Sequence, residues 1–245
     1  MKKIGYSLAI LAAVLLSSCK KDGTTDQDPL TKANIVGSVS LYDEGTNQLS
    51  NADMTVLVEG TSPVISAITD STGRFVLPDV PFGVYNLVYE KNAFGTYKRI
   101  NFEHRNTGSF TQINSTPSLG QKSSTEVTNL SASISGDTVI IYSTTNPAGN
   151  IGNKRYLRYF LSRDSNVGDA KYEYSSNFGA QIDPAQTRIL KSELINQGFV
   201  SGQSIYVKVY GDSFWSNDYD DPNLGRRVFP NLNSTAANAI SFIVP

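Results

Sequence analysis

The chain has 245 residues, 39% of them apolar, and 21 Lys and Arg against 22 Asp and Glu leave a net charge of −1. That is enough apolar material for one large domain or two of about 100 residues, and no basic surplus is present to hold a nucleic acid. One cysteine and one histidine exclude a disulfide framework and a zinc site built on paired His or Cys ligands.

Met1-Lys2-Lys3 precedes an apolar run from Leu8 to Leu16, which ends in Leu16-Ser17-Ser18-Cys19. The run is shorter than the ~20 residues a bilayer span needs. A charged start, a short apolar stretch and small residues at a cut site read as an export signal over residues 1–18. With its final cysteine the segment resembles the lipobox of bacterial lipoproteins. The resemblance implies that Cys19 becomes the mature N-terminus and carries acyl chains such as palmitate. Two or more chains hold a protein stably at a membrane. Lys20, where an aspartate would mark inner-membrane retention, implies an outer-membrane location, on the periplasmic or the surface face. Lys20-Lys21-Asp22 is similar to the charged signal that sends some Bacteroidetes lipoproteins to the cell surface. Residues 19–33 are polar and cannot bury apolar surface, so they are expected to form a disordered tether.

Gly, Pro, Ser and Thr punctuate the remainder, and Val, Ile, Tyr and Phe fill the segments between them. That pattern predicts an all-β fold, two β-sandwiches in series. In the first, residues 34–120, Ile35, Gly37, Val39 and Leu41 alternate with Val36, Ser38 and Ser40, and Ala52, Met54, Val56 and Val58 alternate with Asp53, Thr55, Leu57 and Glu59. Period two places one face inward. Thr69 to Phe75 predicts a turn into a strand, Leu77 to Gly83 a second turn, and Val84 to Tyr89 a further strand. Gly95 to Phe102 and Phe110 to Ile113 complete about seven strands. Gly73 and Gly83 are expected at turn positions with unusual backbone angles.

The ordered residues Gly37 and Val39, then Ala52, Met54 and Val56, then Thr69, Asp70, Gly73 and Phe75, then Leu77, Val80, Pro81, Gly83, Tyr85 and Leu87 resemble the carboxypeptidase regulatory-like, transthyretin-like family. The resemblance covers about residues 34–105 and implies a seven-stranded sandwich. It implies no peptidase activity, because the regulatory-like domain is an appendage of those enzymes and holds no zinc ligands.

Gln121 to Thr125 is polar and suits a linker. Residues 124–245 carry predicted strands at Val127–Ile134, Thr138–Thr144, Arg155–Ser162, Ser204–Tyr210 and Ala239–Val244, with a short helix or two turns within Asp183 to Gln197. Leu194, Gly202, Ile205, Val207 and Val209 are loosely similar to the corresponding strand of fibronectin type III domains. Ile205 stands where that family has its corner tyrosine, so another immunoglobulin-like sandwich fits as well. Tyr156 to Leu161 and Tyr172 to Tyr174 read as strand core and cross-strand pairs.

The candidate binding loop is Gly211 to Pro222. It holds the only tryptophan of the chain, Trp215, with Phe214 and Tyr219, and the carboxylates Asp212, Asp218, Asp220 and Asp221. Aromatic faces stack on sugar rings and carboxylates accept hydroxyl protons or bind calcium, although the spacing matches no EF-hand. The competing expectation is that Phe214 and Trp215 tuck over the end of the sandwich while the aspartates stay solvated. Asp70-Ser71-Thr72 and Asp137-Thr138-Val139 are similar to the O-glycosylation triplet of exported Bacteroidetes proteins, with Ser71 and Thr138 as acceptors. His104 is expected at the surface or at a strand end. No G-x-S-x-G elbow accompanies it, and no metal or other cofactor is expected. The sequence thus predicts a non-catalytic envelope lipoprotein that binds or scaffolds at the outer membrane, with polysaccharide or an envelope protein as partner. The alternatives are a purely structural spacer or adhesion protein and a carboxylate-dependent glycan hydrolase.

Overall fold

A computed structural model describes residues 30–177, 179–183 and 185–245. The expected signal peptide, Cys19 and most of the tether lie outside these residues. Thr31–Pro245 form one compact unit, and the fold is all-β with a single short helix among the described residues.

The first half contains β1 (Lys32–Ser38), β2 (Ser40–Tyr42), β3 (Thr55–Val58), β4 (Ser66–Ile68), β5 (Arg74–Pro81), β6 (Gly83–Glu90), β7 (Tyr97–His104), β8 (Phe110–Gln112) and β9 (Ser118–Gly120). One sheet runs β5-β1-β8, a second runs β4-β3-β6-β7, and β2 pairs with β9. Between the two larger sheets lie Ile35, Val56, Phe75, Leu77, Leu87 and Tyr89, all buried. The predicted alternation therefore marks the core face. Lys32 and Ala33, read as tether, already pair with β5.

Two local expectations are corrected. Leu77 to Gly83 is not a turn, since β5 continues to Pro81. It is the edge strand of its sheet, where missing proline donors leave no ladder bond unmade. A bulge opposite Ala33 and Ile35 and a positive φ of 50° at Asp79 absorb the extra residue. Gly73 has the expected left-handed backbone (φ 86°), and a side chain there would meet the Val39 carbonyl at 2.2 Å. Gly83 does not share that conformation and opens β6 as ordinary strand.

The second half contains β10 (Glu126–Ser135), β11 (Thr138–Asn146), β12 (Arg155–Ser162), β13 (Tyr174–Ser175), β14 (Gly179–Gln181), β15 (Ala185–Leu190), α1 (Lys191–Asn196), β16 (Ser204–Asp212), β17 (Tyr219–Asp221), β18 (Arg226–Val228) and β19 (Ile240–Ile243). Sheet β10-β11-β15 faces a sheet in which β12 lies between β16 and the short β13 and β14, with β19 beyond β16. Val139, Ile141, Leu161, Ile189, Ile205 and Val207 fill the space between them. A third cluster, Phe160 with Val167, Tyr210 and Phe229, lies on the opposite face of β12 and β16. Burial on both faces explains the dense aromatic run of β12. The region expected as a short helix or two turns within Asp183 to Gln197 is half strand: Ala185 and Ile189 are buried while Gln186 and Arg188 are exposed, and six β15 residues pair with β11. The short helix that follows starts where the Glu193 carboxylate accepts the Leu190 N–H at 2.8 Å.

Candidate functional site

The segment Gly211 to Pro222 is only partly a loop. Gly211 and Asp212 complete β16, and Tyr219–Asp221 form β17, a hairpin arm paired with β18. The six residues between, Ser213–Asp218, dock on the first half. Phe214 donates its N–H to the Glu44 carbonyl at 2.9 Å. Trp215 packs on Tyr42 with ring centroids 5.1 Å apart, Phe214 stands edge-on to Trp215 at 5.0 Å, and Tyr156 meets Phe214 at 5.5 Å. A second aromatic bridge links Tyr97 of β7 to Tyr219 of the hairpin at 6.4 Å. The aromatics are thus half-buried at the junction and not displayed on a free loop.

Two buried amides hold this junction. Asn217, at φ 54°, accepts the Gly120 N–H at 2.8 Å and directs its amide nitrogen at the carbonyls of Gly95 and Gly120. Asn231 accepts the Gly95 N–H at 2.9 Å and donates to the carbonyls of Gly120 and Trp215. The approach is so close that a side chain on Gly120 would lie 2.4 Å from the Trp215 carbonyl. Gln121 to Thr125 is no free linker either. Gln121, Lys122 and Ser123 donate backbone N–H groups to Tyr42, Ala93 and Asn231, and Ser124 bonds twice to the Glu44 carboxylate, which also pairs with Arg155 at 3.0 Å.

A cleft of about 580 Å³ opens beside the docked segment. Tyr97 and Leu119 come from the first half, Phe214, Trp215 and Asp218 from the docked segment, and Arg158, Asn177 and Arg227 from the rest of the second half. Of the candidate residues, Phe214, Trp215 and Asp218 therefore line one cavity. Tyr219 stands behind it against Tyr97, and Asp220 and Asp221 border a neighbouring open depression on the far side of Arg227. The residues that sequence reasoning missed are Tyr97, Asn177 and the two arginines.

The charges here come paired. Arg227 meets Asp218 at 3.0 Å and Asp220 through two bonds of 3.0 Å. The Arg227 hydrogen bonds hold the Asp220 carboxyl below the usual range, and those carboxylates push Arg227 up. Asp221 accepts the N–H groups of Asn223 and Leu224 and caps the hairpin turn. Deeper, Asp212 is fully buried and binds Arg158 Nε at 2.7 Å. Arg158 also donates to the Ser176 carbonyl and lies over the Phe229 ring at 4.3 Å. Burial raises the Asp212 pKa against the opposing pull of Arg158. Among the described residues no group of three or more His, Cys, Asp or Glu is placed to hold a metal ion.

The remaining sequence candidates lie elsewhere. Ser71 is exposed in the turn where Asp70 accepts the N–H groups of Thr72 and Arg74. Thr138 is half-buried at the start of β11, paired with Ser135 on one side and Leu190 on the other. His104 ends β7 as expected but is buried at 1% exposure. Its ring nitrogens meet Thr111 Oγ1 at 2.7 Å and the Val80 carbonyl at 3.0 Å, so it pins β5 and β8 together.

No family model matches the chain, and no curated protein matches it. Among solved structures it is similar to a candidate carbohydrate-binding protein from Bacteroides uniformis, at 15% identity and TM-score 0.30, over 86% of this chain and 98% of that one. It is also similar to DUF3823 family proteins from Bacteroides ovatus, at 15% identity and TM-score 0.32 over 87% and 100%, and from Bacteroides uniformis, at 14% and 0.28 over 87% and 100%. Likeness at these scores carries no argument about a ligand. The class defined by the fold is an all-β protein of packed sheets with an aromatic cleft at the junction of its two halves.

Proposed function

We propose that the protein is a non-catalytic binding module of the bacterial cell envelope, held at the outer membrane through lipid on Cys19 and offering the junction cleft to a carbohydrate chain. The observation that carries the reading is the cleft itself, with Trp215 and Tyr97 beside the polar groups of Asp218 and Asn177. Apolar faces with a few convergent polar groups are the usual make-up of a small-molecule site. A non-catalytic role is supported by the state of the acids. Asp212 is sealed against Arg158, and Asp218 is engaged by Arg227 and Ser216, so neither stands ready as a general acid or nucleophile.

The test has two arms. Metabolic labelling with a palmitate analogue marks the wild-type chain and not Cys19→Ala. Isothermal titration of the protein with an oligosaccharide panel yields saturable binding that Asp218→Ala weakens. A spacer role is the second reading, favoured by the Asn217 and Asn231 contacts that spend much of the segment on joining the two halves. It predicts no binding anywhere on the panel.

A further inference from the structure

We propose that the cleft selects uncharged glycan chains and rejects uronic, sialylated or sulfated ones. The inference rests on the reading of the cleft as a carbohydrate site and adds its ligand class. Arg227 looks at first like an anion receptor, but each of its three nitrogens already meets a carboxylate oxygen. Nη1 meets Asp218 at 3.0 Å, while Nε and Nη2 meet the two oxygens of Asp220 at 3.0 Å each. Arg158 is committed to Asp212 through Nε and to the Ser176 carbonyl through Nη1. Both guanidinium groups that line the cavity are therefore already paired with carboxylates, Arg227 with Asp218 and Asp220 and Arg158 with Asp212.

An acidic sugar entering this site meets no unpaired cation. To gain Arg227 from the cleft it must compete with Asp218, whose carboxylate already pairs with Nη1 in a charge-assisted contact, and it then lies against Asp218 as a like charge. Such repulsion is an effective means of excluding the wrong ligand. A neutral chain encounters the opposite situation. Its hydroxyls donate to the lone pairs that Arg227 leaves open on Asp218, and accept from the amide of Asn177, which is exposed and bonded to no described group. The faces of its rings lie on Trp215 and Tyr97, which discriminate shape and not charge.

The experiment titrates the full chain, lipid removed by Cys19→Ala, with two sets of oligosaccharides at equal length. One set is neutral (gluco-, galacto-, manno- and xylohexaose). The other is acidic (galacturonan, alginate and chondroitin sulfate hexamers). The expected result is binding of at least one neutral chain, with every acidic chain weaker by on the order of tenfold or more. Asp220→Asn, at an exposed position, frees part of Arg227 and is expected to narrow that gap. Acidic chains that bind as tightly as the best neutral one, and lose that binding in Trp215→Ala, overturn the selectivity while leaving a carbohydrate cleft. Absence of binding by both sets overturns the carbohydrate reading as well.

Discussion

Burial and pairing pull Asp212 in opposite directions. Its carboxylate is fully buried and its pKa is raised by that burial, with Arg158 opposing. Removing one partner of such a pair strands the other charge, so Asp212→Ala is expected to cost about 3–5 kcal/mol in urea unfolding. The double variant Arg158→Met with Asp212→Ala is expected to recover most of that loss, because no charge is left buried. The pH dependence follows from signs. A raised carboxyl pKa contributes stability that is full below its unfolded pKa and is lost as pH rises through the folded value. Glu59, Asp70, Asp164 and Asp220 are lowered by hydrogen bonds from Lys98, Thr72, Lys171 and Arg227 respectively. Their contribution is present above the ordinary carboxylate range and is lost as pH falls below it. On these four groups the thermal midpoint is expected to drop as pH falls from 5 to 3, with the raised Asp212 opposing the drop, read by circular dichroism. The acidic residues of the candidate segment were legible in the sequence, but their partner was not. Arg227 follows Asp220 across a hairpin whose turn is Pro222 to Gly225, and only β17–β18 pairing places the guanidinium between two aspartates.

At the scale of elements, many strands of both halves were legible where one face is buried, since period two is then written in the sequence. Val139 and Ile141 against Thr138 and Tyr142 are an example. Three stretches read differently in the sequence, each for a local reason. β5 runs through Pro78 and Pro81 because it is an edge strand. β15 contains Ala, Gln and Arg, which favour helix on propensity, and tertiary pairing with β11 decides against it. β16 extends through Gly211 and Asp212, a pair that reads as a turn. Gly211 is there because the Thr125 carbonyl approaches to within 1.9 Å of where a side-chain carbon would sit. Gly211→Ala is therefore expected to destabilise by more than about 1 kcal/mol, measured by chemical denaturation. The same strand end carries Asp212, so displacement there is also expected to widen the cleft.

For the whole molecule, composition and periodicity predicted an all-β fold, while the junction could not be read locally. It is assembled from Glu44, Gly95, Gly120, Asn217 and Asn231, which are distant in sequence and individually unremarkable in type. Their buried hydrogen bonds tie the two apolar cores into one compact unit. The unit is expected to unfold in a single transition, with tryptophan fluorescence and far-ultraviolet circular dichroism coinciding. Asn217→Ala strands the Gly120 N–H, a loss of about 1–3 kcal/mol, and is expected to separate the two signals. Because Trp215 is the only tryptophan of the chain and lines the cleft, its emission reports directly on occupancy. Titration of the protein with neutral oligosaccharides while following that emission is the most direct test of the cleft as a binding site. The expected result is a saturable change that is weakened in Asp218→Ala, and an emission that stays constant across the whole neutral panel would contradict a binding role for the cleft.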